Sequence, residues 1–356
     1  MGSIITMDRG ESLPLPSQLQ PANWPALAEE DALELWHHYR DFLLKHGYHI
    51  MDSEGYLTLG KGEVVIPPPA LDPFNPKDTE FFVYPGDAPN LLSTRLSAWQ
   101  PCVEVCFGID RLQRPVVFKA LLPHSTEHTV LRFLTAPCRR KDKRNRVIPV
   151  LDFLDTADVV IAVMPSWGFD WHRPPCGDVR ARADMAIQLT QGLQFLHDRG
   201  IAHGDIYVGN ILFSHGPFRP FHERAPERDF RLKAKMAYAF IDFGSAYDFS
   251  DGTPPFGTPI TVPPESVRAP EQTDPASGNI NHFAADVYNL DKVLEIELAT
   301  ALEHYGEDSL CNHHLSEYGE ILAEMTNIDP CSRPTAALAA ERIQALYSDV
   351  VFYSVQ

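Results

Sequence analysis

Apolar residues recur at helical spacing from Glu29 to His46, where Ala32, Leu35, Trp36, Tyr39, Phe42 and Leu43 form one face and Gly47 supplies a stop. Such a face is expected to dock on the main body of the protein, with a partner-binding helix as the alternative. The period then shortens. Tyr56–Leu59 and Glu63–Ile66 read as short strands, and Pro67, Pro68, Pro69 and Pro73 impose an extended connection after them.

From about residue 96 to residue 165 the pattern is mostly that of strands. Cys102–Ile109 and Pro115–Leu122 are apolar and β-branched, with Asp110–Arg114 turning between them. A short helix follows, with Ser125 as N-cap and Val130, Leu131 and Leu134 on one face. Two further strands are predicted near Val147–Phe153 and Val159–Met164. Beyond residue 166 helices dominate. Arg180–Arg199 turns Ala183, Ile187, Leu193, Phe195 and Leu196 inward and ends at Gly200, and another helix runs over Phe283–Leu302. The expected organisation is α+β: an N-terminal extension (1–95), a small β-rich lobe (96–165), a larger helical lobe (166–345) and a short tail (346–356). No internal repeat is visible.

Composition narrows the function classes. A hydrophobic content of 44% supports a real core, and a net charge of −18 excludes reliance on a general basic surface for nucleic acid. The six cysteines lack metal-ligand spacing and read as reduced thiols. The longest apolar stretch, Val159–Phe169, is far short of the roughly 20 residues a spanning helix needs and contains Pro165. No signal peptide is apparent. The start, Met1-Gly2-Ser3-Ile4-Ile5-Thr6, matches a short myristoylation pattern. The expected location is the cytoplasm, with the nucleus as an alternative.

The chemistry concentrates in His203-Gly204-Asp205-Ile206-Tyr207-Val208-Gly209-Asn210 and in Ile241-Asp242-Phe243-Gly244. Phosphoryl transfer needs one carboxylate to take a hydroxyl proton, and an amide and a second carboxylate to hold a metal on the phosphates. Asp205, Asn210 and Asp242 are those residue types, in that order. Lys119 is the one charge in the apolar run Val116–Leu121. Ala269-Pro270-Glu271 and Arg333-Pro334 complete the set.

With these motifs, residues 96–345 resemble a divergent member of the eukaryotic protein kinase-like superfamily, which implies a bilobal fold. The resemblance implies that Lys119 grips ATP phosphates and pairs with Glu127, and that Met164 guards the back of an adenine pocket. It implies Asp205 as the group acting on the acceptor hydroxyl, and Asn210 and Asp242 as Mg²⁺ ligands. Glu271 and Arg333 would clamp the activation segment, Asp286 would brace the catalytic loop, and His203 would be structural. The implied function is ATP- and Mg²⁺-dependent transfer to a protein hydroxyl, of Ser/Thr type. A pseudokinase acting as a binding module and a small-molecule kinase are the alternatives.

The chain departs from that family in several places. Ser97–Cys102, where a phosphate-binding loop is expected, has no glycine. Tyr207 stands where Ser/Thr kinases carry a Lys, and Gly204 where the loop has an Arg. Pro264 replaces a Thr in a proline-rich activation segment. An insertion near Ser214–Lys235 carries Arg219, Arg224, Arg228, Arg231 and Lys233, and a second basic run spans Arg139–Arg146. Both read as solvated loops, with docking of an acidic partner as the alternative for each. Nuclear targeting is a further alternative for the second.

Overall fold

A computed structural model describes residues 14–27, 29–50, 103–112, 114–168, 179–214, 236–258, 267–273, 278–305 and 315–352. The strands expected at 56–59 and 63–66 lie outside them. So do Gly2, the loop 97–102, Pro264 and all but the first residue of the insertion. The chain divides into two compact units, the first holding residues 14–50, 103–128 and 150–166, the second holding 129–149 and 167 onward.

The first unit is built on a five-stranded antiparallel sheet. Its strands are β1 (Tyr48–Ile50), β2 (Val105–Asp110), β3 (Pro115–Leu121), β4 (Asp152–Asp155) and β5 (Val160–Pro165), in the order β1-β2-β3-β5-β4. The β2–β3 turn forms because Asp110, fully buried, accepts hydrogen bonds at Oδ1 from the backbone N–H groups of Leu112 and Arg114. Its Oδ2 takes the Arg114 Nε–H at 2.6 Å. A short polar side chain that satisfies its own turn is what makes Asp a turn former.

The helical pattern at 29–46 forms two helices, α1 (Glu29–His38) and α2 (Arg40–Lys45). They are separated by one tighter turn in which Tyr39 N–H donates to Trp36 C=O. The apolar face survives the break. Leu35, Trp36, Tyr39, Phe42 and Leu43 share one core with Val116, Phe118, Ala120, Ile161 and Val163 of the sheet. Trp36 and Tyr48 lie 6.3 and 5.8 Å from the Phe118 ring. The face is therefore spent on the sheet, and is not left for a partner. Beside it, a Cβ on Gly108 would come within 2.4 Å of the His49 carbonyl and the Phe118 ring, so β1 can close on β2 only over a glycine.

The strand expected at Val147–Phe153 is displaced. Only Asp152–Asp155 joins the sheet, while Val147 forms an isolated parallel bridge to Phe240 in the second unit. Pro149 has no N–H to continue a ladder and separates the two pairings.

A helix, α3 (Thr126–Leu134), carries the chain into the second unit, followed by α4 (Pro137–Arg140). The remaining helices are α5 (Val179–His197), α6 (Pro270–Thr273), α7 (His282–Tyr305), α8 (Leu315–Met325) and α9 (Ala336–Phe352). Three short antiparallel pairs lie among them: β6 (Ile201–Ala202) with β9 (Tyr247–Asp248), β7 (Ile211–Phe213) with β8 (Tyr238–Phe240), and β10 (Phe256–Gly257) with β11 (Ile280–Asn281). The architecture is α+β, a strand-rich unit and a mainly helical unit, as the sequence predicts.

Helix α5 is buried more fully than an amphipathic pattern implies. Ala183, Leu193, Phe195 and Leu196 point inward as expected, but so do Arg182, Met185, Ala186, Leu189 and Thr190, and Ile187 is only half-buried. Arg182 reaches Glu297 of α7 at 3.4 Å, with both side chains excluded from solvent. Among the described residues, no helix is long and apolar enough to cross a membrane.

Candidate active site

In the first unit, Lys119 sits in β3 between Val105 of β2 and Ala162 of β5. Its Nζ donates to Glu127 Oε1 at 2.6 Å, with the two side chains only 10% and 11% exposed. The eight-residue spacing between them is bridged by a very short connection. Ser125 N–H donates to Leu122 C=O, and His124 takes a left-handed φ of 64° that turns the chain straight into α3. Ser125 Oγ then accepts the His128 N–H and caps the helix. A Lys this buried keeps its charge at tolerable cost only beside an opposite one. Met164 lies in β5 opposite Val117, buried, and is followed by Pro165 and the buried Ser166.

In the second unit, the loop between β6 and β7 is braced from α7. Asp286, fully buried, accepts the His203 N–H at 2.7 Å, the Gly204 N–H at 2.9 Å and a hydrogen bond from His197 Nε2 at 3.1 Å. His203 donates from Nε2 to the Ile241 carbonyl, and its Nδ1 faces the Asp205 N–H at 3.3 Å. Both ring nitrogens are engaged, so His203 is a structural residue with no nitrogen left to act as a base.

Asp205 is 7% exposed and Asn210 is 4% exposed. Asn210 Nδ2 donates to the Asp205 backbone carbonyl at 2.9 Å and to its Oδ2 at 3.1 Å. Asp205 Oδ1 has no hydrogen-bond donor among the described residues. Ile241 N–H donates to the Asn210 carbonyl, which ties the backbone ahead of Asp242 to the same loop. Asp242 is exposed and has φ 61°, a left-handed conformation rare outside glycine. Its Oδ1 accepts the Gly244 N–H at 3.3 Å. The next residue, Phe243, is fully buried with its ring 4.8 Å from that of His203, and anchors the turn.

Gly204 has φ +81°, and a Cβ there would come within 2.2 Å of the Ser245 carbonyl oxygen. The glycine thus lets the Ser245 backbone approach closely. Tyr207 is extended, and its ring lies back over Gly209, where a Cβ would come within 2.6 Å of it.

The clamp implied by the sequence is also assembled. Arg333 Nη1 and Nη2 donate to Glu271 Oε1 and Oε2 at 2.6 and 2.8 Å, and Nη1 and Nε bond the Ala284 and Asn327 carbonyls. At the start of α7, His282 stacks on Tyr247 with ring centroids 3.6 Å apart, and burial pushes its imidazole pKa down.

Lys119, Glu127 and Met164 thus belong to the first unit, and Asp205, Asn210 and Asp242 to the second. The Asp110–Arg114 turn forms as the sequence implies, whereas the Gly204–Ser245 approach, the His282 stack and the Arg182–Glu297 pair were not expected from it. None of those three leaves a local signal, because each joins residues far apart along the chain.

No protein-family model matches the chain. Among curated proteins it is similar to Wee1-like protein kinase 2 of Sus scrofa, 26% identical over 173 residues, which are 43% of this chain and 28% of that protein. It is also similar to dual specificity protein kinase CLK2 of Mus musculus, 39% identical over 62 residues, 17% of this chain and 12% of that protein. The chain therefore spans less than a third of the length of these relatives. Among solved structures, one of the Rad53 kinase domain and SCD2 aligns at a TM-score of 0.39 and 16% identity, covering 67% of this chain and 83% of that one.

Proposed function

We infer that this divergent protein kinase-like domain transfers the γ-phosphoryl group of ATP to a hydroxyl of a protein, of Ser/Thr type. The observation that carries this reading is the Asp205–Asn210 arrangement. One carboxylate oxygen of Asp205 is fixed by the Asn210 amide, and the other has no donor among the described residues. A carboxylate held in that way is oriented to accept the proton of an incoming hydroxyl.

The donor set fits Mg²⁺. Asn210 directs its amide N–H groups at Asp205, so the carbonyl oxygen is what it offers a cation. Asp242 adds a carboxylate. Two hard oxygen donors suit an ion that keeps several waters and binds phosphate. Mg²⁺·ATP, when bound, supplies the phosphoryl group and the neutralising cation. The chain's own part is positioning: Lys119, held by Glu127, presents a cation to the α- and β-phosphates, Met164 closes the back of the adenine pocket, and Asp205 orients the acceptor.

A second reading, a binding module without transfer, draws on Tyr207 and on the lack of glycine in Ser97–Cys102. One experiment separates the two. Thermal shift is measured with Mg²⁺·ATP for the wild type and for Asp242→Ala, in parallel with transfer of labelled phosphate to a mixture of proteins and to small alcohols. A shift abolished by Asp242→Ala, with label on protein Ser or Thr, is the expected result. A shift without transfer favours the binding module, label on alcohols alone favours a small-molecule kinase, and no shift overturns the nucleotide site.

A further inference from the structure

The segment Arg139–Arg146 carries Arg139, Arg140, Lys141, Lys143, Arg144 and Arg146 around a single acid, Asp142, in a chain whose net charge is −18. Its conformation discriminates between a detachable basic tag and a built surface. Asn145 Nδ2 donates to the Leu134 and Arg139 carbonyls at 2.9 and 3.3 Å, and its Oδ1 accepts the Val147 N–H. Asp142 accepts the Arg144 N–H at 3.0 Å and side-chain bonds from Arg144 and Arg199 at 3.0 and 3.2 Å. The Arg144 hydrogen bond is the main cause that holds the Asp142 carboxyl below its ordinary pKa. Arg144 also reaches Asp198 at the end of α5, at 2.8 Å. A receptor that reads a basic tag needs an extended strand, and extending this segment would break all of these bonds.

The cations are also sorted by direction. Arg146 is drawn inward against Gly192, and burial lowers its pKa. Lys141 and Lys143 are exposed. The Arg139 guanidinium stacks 3.5 Å over the Phe133 ring, and that of Arg199 lies 3.6 Å over Phe195. Stacking and ion pairing hold these side chains in place before any ligand arrives, which lowers the entropy cost of binding.

We propose that the face formed by Arg139, Lys141, Lys143, Arg144 and Arg199 docks a short acidic peptide segment of a partner protein. Its two carboxylates, Asp142 and Asp198, are spent in ion pairs within the face. The charge balance selects the length of the ligand. At about 0.15 M salt the screening length is about 8 Å, so a short acidic segment responds mainly to the face itself. A long polyanion such as nucleic acid, or an anionic membrane, also meets the excess negative charge of the rest of the chain. The proposal does not depend on whether the candidate active site transfers phosphate.

The test is fluorescence anisotropy of labelled octaglutamate on the full chain at about 0.1 M salt. Lys141→Glu/Lys143→Glu is compared with Arg40→Glu/Lys45→Glu, an equal charge change on exposed residues of α2. The expected result is binding that weakens about tenfold or more in the first variant and no more than about twofold in the second, with unchanged melting temperatures. If the first variant melts early, Lys141→Gln/Lys143→Gln is judged by the same criterion. Absence of wild-type binding overturns the proposal, as does equal loss in both variants. Tighter binding to single-stranded DNA of equal charge or to phosphatidylserine vesicles overturns it too.

Discussion

Asn210 Nδ2 donates to both the backbone carbonyl and the carboxylate of Asp205, at 2.9 and 3.1 Å, inside a loop that Asp286 braces from α7. The contact sets the direction of the carboxylate while leaving Oδ1 without a donor among the described residues. Asp205→Asn keeps the size of the side chain and removes its basicity. It is expected to lower kcat for phosphate transfer by about 10²–10⁴-fold while nucleotide binding persists. Steady-state transfer rates and a thermal shift with Mg²⁺·ATP check this; a near-wild-type kcat removes Asp205 from the role.

The Lys119–Glu127 pair is nearly excluded from water, so each charge depends on the other. Glu127→Gln is expected to raise KM for ATP about tenfold or more, because Lys119 loses the carboxylate that aims it. A double-mutant cycle with Lys119→Met on ATP binding is expected to give a coupling of about 0.5–3 kcal/mol. A coupling near zero would show that the contact does not serve the nucleotide.

The Arg333–Glu271 bond is bidentate, and Arg333 is further satisfied by two backbone carbonyls. Arg333→Ala leaves Glu271 without its partner and is expected to cost about 3–5 kcal/mol of stability. Arg333→Lys should recover little of it, since an ammonium cannot form the paired bonds. Denaturant midpoints of the two variants decide between charge and geometry as the source of the stability.

Asp291 of α7 is fully buried, and burial first, then the Glu295 carboxylate, pushes its pKa up to about 8, with Lys292 opposing. The folded value lies above the unfolded one, so the folded state retains a proton that the unfolded chain releases. This contribution to stability is complete below about pH 4 and is lost as pH rises through 8. At about 1.4 kcal/mol per pKa unit, the loss is on the order of a few kcal/mol. Asp291→Asn is expected to flatten the decline between pH 5 and 8 and to melt higher at pH 8, as calorimetry across that range would show.

Much of the candidate site was legible because its signals are local. Asp205 and Asn210 stand five residues apart, Asp242 follows an apolar strand and precedes Phe243-Gly244, and Ser125 caps α3 as its place before the apolar face implies. The strand expected at Val147–Phe153 was misjudged because an apolar run does not name its partner: Val147 pairs with Phe240, far along the chain. Arg182 and Glu297 were invisible for a related reason. A helix buried on nearly every side has no solvent face on which a charge belongs, so such a charge survives only through a partner on another element.

The order of elements, the helical and strand periods and the chemical types at the candidate site follow from the sequence alone, because they rest on interactions between residues close along the chain. The tertiary structure decided which of those residues meet. A left-handed His124 lets Lys119 reach Glu127 across a short connection. Packing consumes the Trp36–Tyr39 face on the sheet. Hydrogen bonds donated by Asn145 and accepted by Asp142 fold the basic run into a fixed turn. Each of these outcomes depends on desolvation and on compensation by a distant partner, and those energies exist only once the chain has folded.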